Sequence, residues 1–208
     1  FDSAPTYSRG TFLMIASNDE IESYLDSYKN FKQTQGYDVV IKNYQDLATR
    51  EALYNYIMNL WLDDNMLEYV LFVGDVDAQN NTSNIPSYYI SSYNEQELDV
   101  TDYMYSYFDH TSFDDVYNPR FLIGRWSVHS PIDLFKLMNR NINYVTLEGF
   151  ESADLEYLNK ALVIAGNYKT SANGEEVDPS TWPVTPVWTS EWIKDQLEIV
   201  GMNVETFF

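Results

Sequence analysis

The chain contains no cysteine, and this absence excludes several kinds of chemistry. Without cysteine among its 208 residues, the chain can form no disulfide, offers no thiolate nucleophile and holds no cysteine-ligated metal. Histidine is scarce too, since only His110 and His129 occur. Neither lies near a serine in a Gly-x-Ser-x-Gly pattern, so a serine triad is not indicated. Gly-x-Gly-x-x-Gly and Gly-Lys-Ser/Thr sequences are also absent, which argues against a dinucleotide or P-loop site.

Positive charge is limited as well. The chain has 12 Lys and Arg residues against 32 Asp and Glu residues, which gives a formal net charge of −20. Such a surface repels phosphate groups, so we expect neither a nucleic-acid partner nor an anionic membrane surface. No apolar run approaches the roughly 18 residues that a membrane span needs, and no basic segment followed by an apolar one opens the sequence. We therefore expect a soluble protein, either cytosolic or already trimmed of a leader.

The first part of the chain alternates strand and helix patterns. Apolar runs at Thr11–Ser17, Tyr37–Ile41 and Tyr69–Asp75 predict three strands. Between them, apolar residues at helical spacing predict an amphipathic helix over Glu20–Gln35 and a second helix capped by Thr49. Strand, helix, strand, helix, strand is the order that forms a parallel sheet in α/β proteins.

The later part of the chain contains a long irregular stretch and then returns to this order. Val76–Asp115 has no helical stripe, and we interpret it as a functional loop or an insertion. A break near Gly149–Asn159 divides an N-terminal α/β subdomain, 1–150, from the first part of a second subdomain, 151–208. The elements predicted beyond the loop are strands at Phe121–Gly124, Lys160–Ala165 and Asn203–Phe208, a helix from Ser130-Pro131 to Gly149, and a helix carrying Trp188, Trp192 and Leu197.

Acidic side chains are concentrated after the third strand. Asp75 directly follows a buried strand and a glycine, at the end of the sheet where α/β proteins form their sites. With Asp102 and the other acids of the long loop, it offers the oxygen ligands that calcium prefers. The alternative is that these acids are solvated and that Asp75 caps backbone N–H groups. For Arg125, we favour an ion pair with a loop acid over a contact with substrate.

Several short motifs, taken in order, resemble the gingipain family of cysteine peptidases. They are Tyr69-Val-Leu-Phe-Val-Gly-Asp75, Ile85-Pro86, Thr101-Asp102-Tyr103, Ile123-Gly124-Arg125, Asn143-Tyr144 and Ala172-Asn173-Gly174-Glu175. The resemblance extends across almost the whole chain. It implies a caspase-like α/β fold, a three-layer sandwich with mostly parallel sheets that is incomplete in this chain. It also implies a secreted or cell-surface bacterial enzyme that hydrolyses protein and peptide substrates with a Cys–His pair lying beyond residue 208.

The same resemblance suggests roles for individual acids. By position it implies calcium ligands at Asp75 and Glu175, and we include Asp102 as a third metal candidate. It implies a contact with basic substrate side chains near Glu176 and Asp178. The chain departs from the family at Arg120, which stands where the family has an acidic ligand, and at Tyr168, which stands where well-known members have a glutamate.

Two alternatives remain open at this point. One is a non-catalytic or sortase-type relative in bacterial protein secretion, in which the chain recognises a partner. The other is an unrelated receiver-like or flavodoxin-like binding module with a metal at Asp75. The last predicted strand exposes Phe207-Phe208 without a covering helix, so we also expect a larger fold or a second chain that completes the sheet.

Overall fold

A four-stranded parallel sheet forms the centre of the first part of the chain. Its strands are β1 (Thr11–Ala16), β2 (Asp38–Asn43), β3 (Leu67–Val73) and β6 (Leu122–Trp126), and their order in the sheet is β2-β1-β3-β6. The helices around it are α1 (Asp19–Ser23), α2 (Asp26–Thr34), α3 (Arg50–Asp63) and α4 (Pro131–Thr146). The four predicted strands of this sheet and the predicted helices after β2 and β6 are confirmed, with boundaries shifted by up to three residues.

The structure is a computed structural model that describes residues 8–64, 66–76, 83–91, 98–108, 119–151, 154–165 and 186–207. Its internal contacts divide the chain into two compact units, Phe1–Thr146 and Leu147–Phe208. The assignment of 1–150 and 151–208 as an N-terminal and a catalytic subdomain stays a prediction. Among the described helices, none is both long and apolar enough to cross a membrane.

The central sheet is buried on both faces. Every residue of β1 is buried, and successive side chains of a strand point to opposite faces. Phe12 and Met14 pack with Leu134 of α4 in one apolar cluster. Leu13 and Ile15 lie in the other cluster, beneath α3 and the segment that precedes β6. Two-sided burial is the arrangement expected of a parallel sheet in an α/β fold.

The helix predicted over Glu20–Gln35 is two helices, and the prediction of one continuous helix was wrong. Asn18 caps α1, because its side-chain oxygen accepts a hydrogen bond from the Ile21 N–H at 2.9 Å. At the joint, the N–H groups of Tyr24 and Leu25 each donate to a carbonyl three residues back. This tighter turn ends α1, and α2 begins one residue later with Leu25 fully buried.

The long acidic stretch is not wholly irregular, which corrects the prediction of a loop without strands. It contains an antiparallel hairpin of β4 (Tyr88–Ser91) and β5 (Leu98–Thr101). A single turn at Tyr103–Tyr105 follows and buries the Tyr105 ring against Phe72, with 5.0 Å between ring centroids. The hairpin is therefore attached to the main core through this turn.

The described part of the second unit forms a smaller βαβ arrangement. β7 (Lys160–Ile164) and β8 (Asn203–Phe207) pair in parallel, and α5 (Pro186–Ile199) contacts both strands. Exposed residues alternate with partly buried ones along both strands. Leu162, Ile164 and Phe207 are among the exposed residues.

Candidate functional site

The carboxyl ends of the four parallel strands meet at one edge of the first sheet. Pairing brings Ala16 beside both Asn43 and Val73, and Val73 beside Trp126. The polar side chains at this edge come from the ends of the strands, such as Asn43 of β2 and Arg125 of β6, and from the loops that leave the edge. In open α/β sheets this edge is where ligands bind, so the candidate site is examined from here.

Arg125 and Asp102 form an ion pair at this edge. The Arg125 Nε lies 2.8 Å from Oδ2 of Asp102, and its Nη2 lies 2.8 Å from Oδ1. The arginine side chain is 10% exposed and the aspartate 17% exposed, so both charges are largely withdrawn from water. The predicted ion pair between Arg125 and a loop acid is confirmed. This two-point geometry fixes both side chains more firmly than a single contact would.

Arg125 also donates hydrogen bonds to the backbone of two neighbouring segments. Its Nη1 donates to the carbonyl oxygens of Gly74 at 3.1 Å, Asp75 at 3.2 Å and Ile85 at 3.0 Å. The guanidinium carbon lies 5.0 Å from the centre of the Phe72 ring. One side chain thus satisfies three carbonyls where β3 leaves the sheet, which are groups that are costly to leave unpaired when buried.

Serine and tyrosine side chains complete this network. The Ser87 hydroxyl lies 2.7 Å from Oδ1 of Asp102 and 2.7 Å from the Thr101 carbonyl oxygen. The Tyr105 hydroxyl donates to the carbonyl oxygen of Pro86 at 2.6 Å. Burial raises the pKa of the Tyr105 phenol, and Tyr88 and Asp102 raise it further against the opposing effects of Arg125 and Arg50. Tyr105 is therefore a neutral hydrogen-bond donor at physiological pH.

Gly74 allows the chain to leave β3 within this crowded edge. A Cβ atom at this position would lie 2.7 Å from Ser17 Cβ, 2.7 Å from the Ser83 carbonyl oxygen and 3.1 Å from Ile85 Cγ1. The Gly74 N–H donates to the Trp126 carbonyl oxygen at 3.0 Å. The glycine is needed for close approach of neighbouring segments.

Asp75 joins this network through its backbone, because its carbonyl oxygen accepts a hydrogen bond from Arg125. Its N–H donates to the Ser83 carbonyl oxygen at 2.8 Å, and its own carbonyl oxygen accepts from the Ile85 N–H at 2.8 Å. Its carboxylate is partly exposed and lies 3.4 Å from Nε2 of His129. The backbone of Asp75 is thus held firmly, while its carboxylate faces an exposed imidazole.

The structure brings together some of the predicted site residues and leaves others outside its described part. Asp75 and Asp102 both belong to the network of Arg125, through the backbone and through the side chain respectively. Glu175, Glu176 and Asp178 lie outside the described residues.

The described residues do not by themselves form a metal site. Within the described ranges, no group of three or more histidine and acidic residues could hold a metal ion. Both oxygens of Asp102 already receive hydrogen bonds from Arg125. The calcium roles of Asp75, Asp102 and Glu175 stay predictions, and they need ligands from residues outside these ranges.

Sequence reasoning missed several residues of this edge. Ser87 and Asn18 were not singled out as partners, although Asn18 links α1 to the loop by donating to the Ser83 hydroxyl at 3.2 Å. Ser17 is buried, and among the described residues its hydroxyl oxygen has no hydrogen-bond partner. Serines and asparagines are frequent in loops, so only the strand ends could have indicated them.

The fold is a caspase-like α/β fold. Its central sheet is mostly parallel, helices flank the sheet, and hydrogen bonds connect the loops at the strand ends. The model of peptidase family C25 matches residues 6–206. The chain belongs to this family, the peptidase family of the gingipains. It is a protein related to cysteine peptidases, and the resemblance noted in its motifs is confirmed. Family membership removes the alternative of an unrelated receiver-like or flavodoxin-like module.

Two solved structures share the fold. One is the complex of Porphyromonas gingivalis RgpB pro- and mature domains, with 21% identity, a TM-score of 0.69, and coverage of 95% of this chain and 41% of that one. The other is described as "Structure of Protease", with 22% identity, a TM-score of 0.58, and coverage of 79% and 34%. The chain thus spans less than half the length of either. A comparison with curated proteins found no match.

Proposed function

We propose that this chain is the N-terminal portion of a secreted, gingipain-like cysteine endopeptidase. The observation that carries the proposal is the match of peptidase family C25 over residues 6–206. Because the chain contains no cysteine, the nucleophile is contributed by sequence outside these 208 residues, together with the histidine that serves as its acid and base.

In this proposal the first unit supports the catalytic part of the protein. Its sheet is buried on both faces, and Arg125 fastens the loops at the strand ends to one another. A rigid support of this kind holds a neighbouring site in its productive geometry. Its contribution to the reaction is positional, since the network contains no cysteine and its serine and tyrosine hydroxyls are engaged in hydrogen bonds.

The second unit contributes to substrate recognition in the proposal. Glu176 and Asp178 are assigned to the pocket that receives a basic substrate side chain, because a carboxylate pairs with arginine or lysine. Glu176→Gln and Asp178→Asn, measured one at a time, would raise KM for substrates with a basic side chain at the cleavage site. Substrates with an apolar side chain at that position serve as the control.

Asp75 and Glu175 are proposed as ligands of a structural calcium ion. Asp102 is a weaker candidate, because its carboxylate is paired with Arg125. If a calcium ion binds the folded state, its presence raises the melting temperature relative to chelator. Asp75→Asn and Glu175→Gln would each reduce that difference. An unchanged melting temperature with calcium or chelator in the wild-type protein would contradict the metal proposal.

The test of the peptidase proposal is thiol-dependent hydrolysis. The full-length protein is incubated with an unstructured protein substrate before and after treatment with a thiol-alkylating reagent. The proposal predicts hydrolysis that alkylation abolishes and that serine-directed inhibitors leave unchanged. Hydrolysis that survives complete alkylation would contradict it.

A second candidate function is a non-catalytic or sortase-type relative that binds a partner chain in bacterial protein secretion. The two candidates differ in the sequence outside these 208 residues. The second candidate requires that this sequence, like the present chain, contains no cysteine nucleophile. An absence of hydrolysis combined with specific capture of a secreted protein would support this second candidate.

A further inference from the structure

The β4–β5 hairpin stands apart from the other sheets of the described chain. Among the described strands, β4 and β5 pair only with each other, so within this part of the chain each keeps an outer edge whose backbone groups take no part in strand pairing. An isolated two-stranded hairpin is marginal in water, and an additional strand stabilises it. Such edges are also the places where extended peptides add to a sheet.

One face of this hairpin is apolar and exposed. Tyr89 pairs with Val100, and Ser91 pairs with Leu98, which places these four side chains on the same face. Tyr89 is 43% exposed, Val100 51% and Leu98 63%. Contiguous apolar side chains on a surface are typical of interaction sites.

The base of the hairpin and the Tyr88 end of its opposite face are already engaged, whereas Ile90 and Asp99 of that face are exposed. The Tyr88 ring packs against Tyr105 with 4.9 Å between ring centroids, and Arg50 lies 4.6 Å from the centre of the Tyr88 ring. The Ser87 hydroxyl joins the base of the hairpin to the Thr101 carbonyl oxygen. The hairpin is therefore anchored on one side and presents its apolar face on the other.

The charge around the hairpin indicates what kind of partner fits it. From Val76 to Pro119 the sequence contains no lysine and no arginine. In the described hairpin, β5 carries one acidic residue, Asp99, which is exposed. Among the described residues, Arg50 and Arg125 are the cations that contact this region, and they are held against Tyr88 and Asp102.

We propose that the β4–β5 hairpin is a docking site for an extended, basic polypeptide segment that adds to it as a third strand. The backbone of the partner pairs with an outer edge of the hairpin, and its apolar side chains cover Tyr89, Leu98 and Val100. Its lysine or arginine side chains alternate with the apolar ones and lie on the opposite face of the added strand, near Asp99. A second copy of this chain is disfavoured as the occupant, because two chains of net charge −20 repel each other.

The experiment measures binding of a fluorescent peptide that alternates lysine and valine. The full-length protein is first alkylated at its thiols so that the peptide stays intact, and binding is followed by fluorescence anisotropy. Leu98→Ser is expected to weaken binding by about tenfold, which is the effect of about 1.4 kcal/mol. Ile132→Ser is the matched control, because Ile132 of α4 is similarly exposed at 66% and lies far from the hairpin in sequence.

Two further peptides separate the contributions of backbone and charge. N-methylation of alternate residues removes the N–H donors of one edge at unchanged charge, and is expected to abolish binding because strand addition depends on those groups. Replacing lysine by glutamate is expected to abolish binding as well, and Asp99→Asn should reduce its dependence on salt.

Three results would overturn the proposal. They are equal binding by Leu98→Ser and the wild-type protein, equal binding of the lysine and glutamate peptides, or full binding of the N-methylated peptide. Sedimentation adds a fourth: a homodimer that Leu98→Ser dissociates would identify a second copy as the occupant. None of these readouts depends on peptidase activity, so the docking proposal and the peptidase proposal can fail separately.

Discussion

The two parallel sheets of this chain differ in how they are covered. Every residue of β1 in the first unit is buried, whereas β7 in the second unit alternates exposed and partly buried residues. Helices and a long loop cover both faces of the first sheet. Among the described residues of the second unit, α5 is the helix that contacts β7 and β8. From this difference in burial we expect stability to reside mainly in the first unit, and the predictions below test that expectation.

The largest effect is expected from Arg125→Ala. This change leaves the carboxylate of Asp102 without its arginine partner in a site that is 17% exposed, and it removes one hydrogen-bond donor from the carbonyl oxygens of Gly74, Asp75 and Ile85. Breaking a buried ion pair costs about 3–5 kcal/mol. Urea unfolding should show this loss, with a smaller loss for the double change Arg125→Met with Asp102→Leu, because no unpaired charge then remains. Equal losses for the single and the double variant would contradict the account.

A leucine in each sheet tests the comparison directly. Leu13→Ala in β1 removes a fully buried side chain and should reduce the free energy of unfolding by about 2–5 kcal/mol. Leu162→Ala in β7 alters a side chain that is 58% exposed and should change it by less than about 0.5 kcal/mol. Similar losses for the two variants would show that both sheets are covered equally in the protein.

Two glycines provide a smaller, matched test within the first unit. Gly74→Ala introduces a methyl group 2.7 Å from Ser17 Cβ and from the Ser83 carbonyl oxygen, and crowding of this kind costs about 1–3 kcal/mol. At Gly124 in β6, no atom of the described neighbouring residues lies within 4 Å of the position of an added Cβ. Gly124→Ala should therefore leave the melting temperature unchanged or slightly raised, and a loss at Gly124 but not at Gly74 would contradict the described strand end.

The smallest effect is a loss of stability at high pH that reports on the first unit. Burial raises the pKa values of the Tyr28 and Tyr105 phenols above that of an exposed tyrosine. Above about pH 10 the unfolded chain releases these protons while the folded chain keeps them, so stability falls as pH rises. Below that pH the two groups add no slope.

Urea midpoints at about pH 9 and about pH 11 measure this slope. Tyr28→Phe and Tyr105→Phe should each flatten it, although each also removes a hydrogen bond, to Asn141 and to the Pro86 carbonyl oxygen respectively. An unchanged slope in the double variant would show that other groups are responsible.

Much of the fold could be predicted because its signals are local. The apolar runs at Thr11 and Tyr69 and the cap at Thr49 each predicted an element that the structure contains; the Thr49 hydroxyl accepts from the Ala52 N–H at 3.1 Å. The break between α1 and α2 was not predictable, since the apolar spacing continues through it. The break depends on two hydrogen bonds that span three residues instead of four, and on the burial of Leu25 against the sheet.

The candidate site was predictable only in part. The sequence indicated that Arg125 pairs with a loop acid, but it could not select Asp102, because that choice depends on how the hairpin folds back onto β3 and β6. The hairpin itself was missed, since its strands are only four residues long and lie in a polar stretch. The roles of Glu175, Glu176 and Asp178 stay predictions.

The central claim, that this chain supports a cysteine peptidase whose nucleophile lies elsewhere in the protein, is tested most directly by mapping the reactive residue. The full-length protein is treated with a peptidyl chloromethyl ketone that carries a basic side chain, and the adduct is located by mass spectrometry of its peptides. The account predicts one adduct on a cysteine outside the 208 residues, formed in proportion to the loss of hydrolysis. An adduct within the 208 residues that accounts for the lost activity, or full activity after complete alkylation of the thiols, would contradict it.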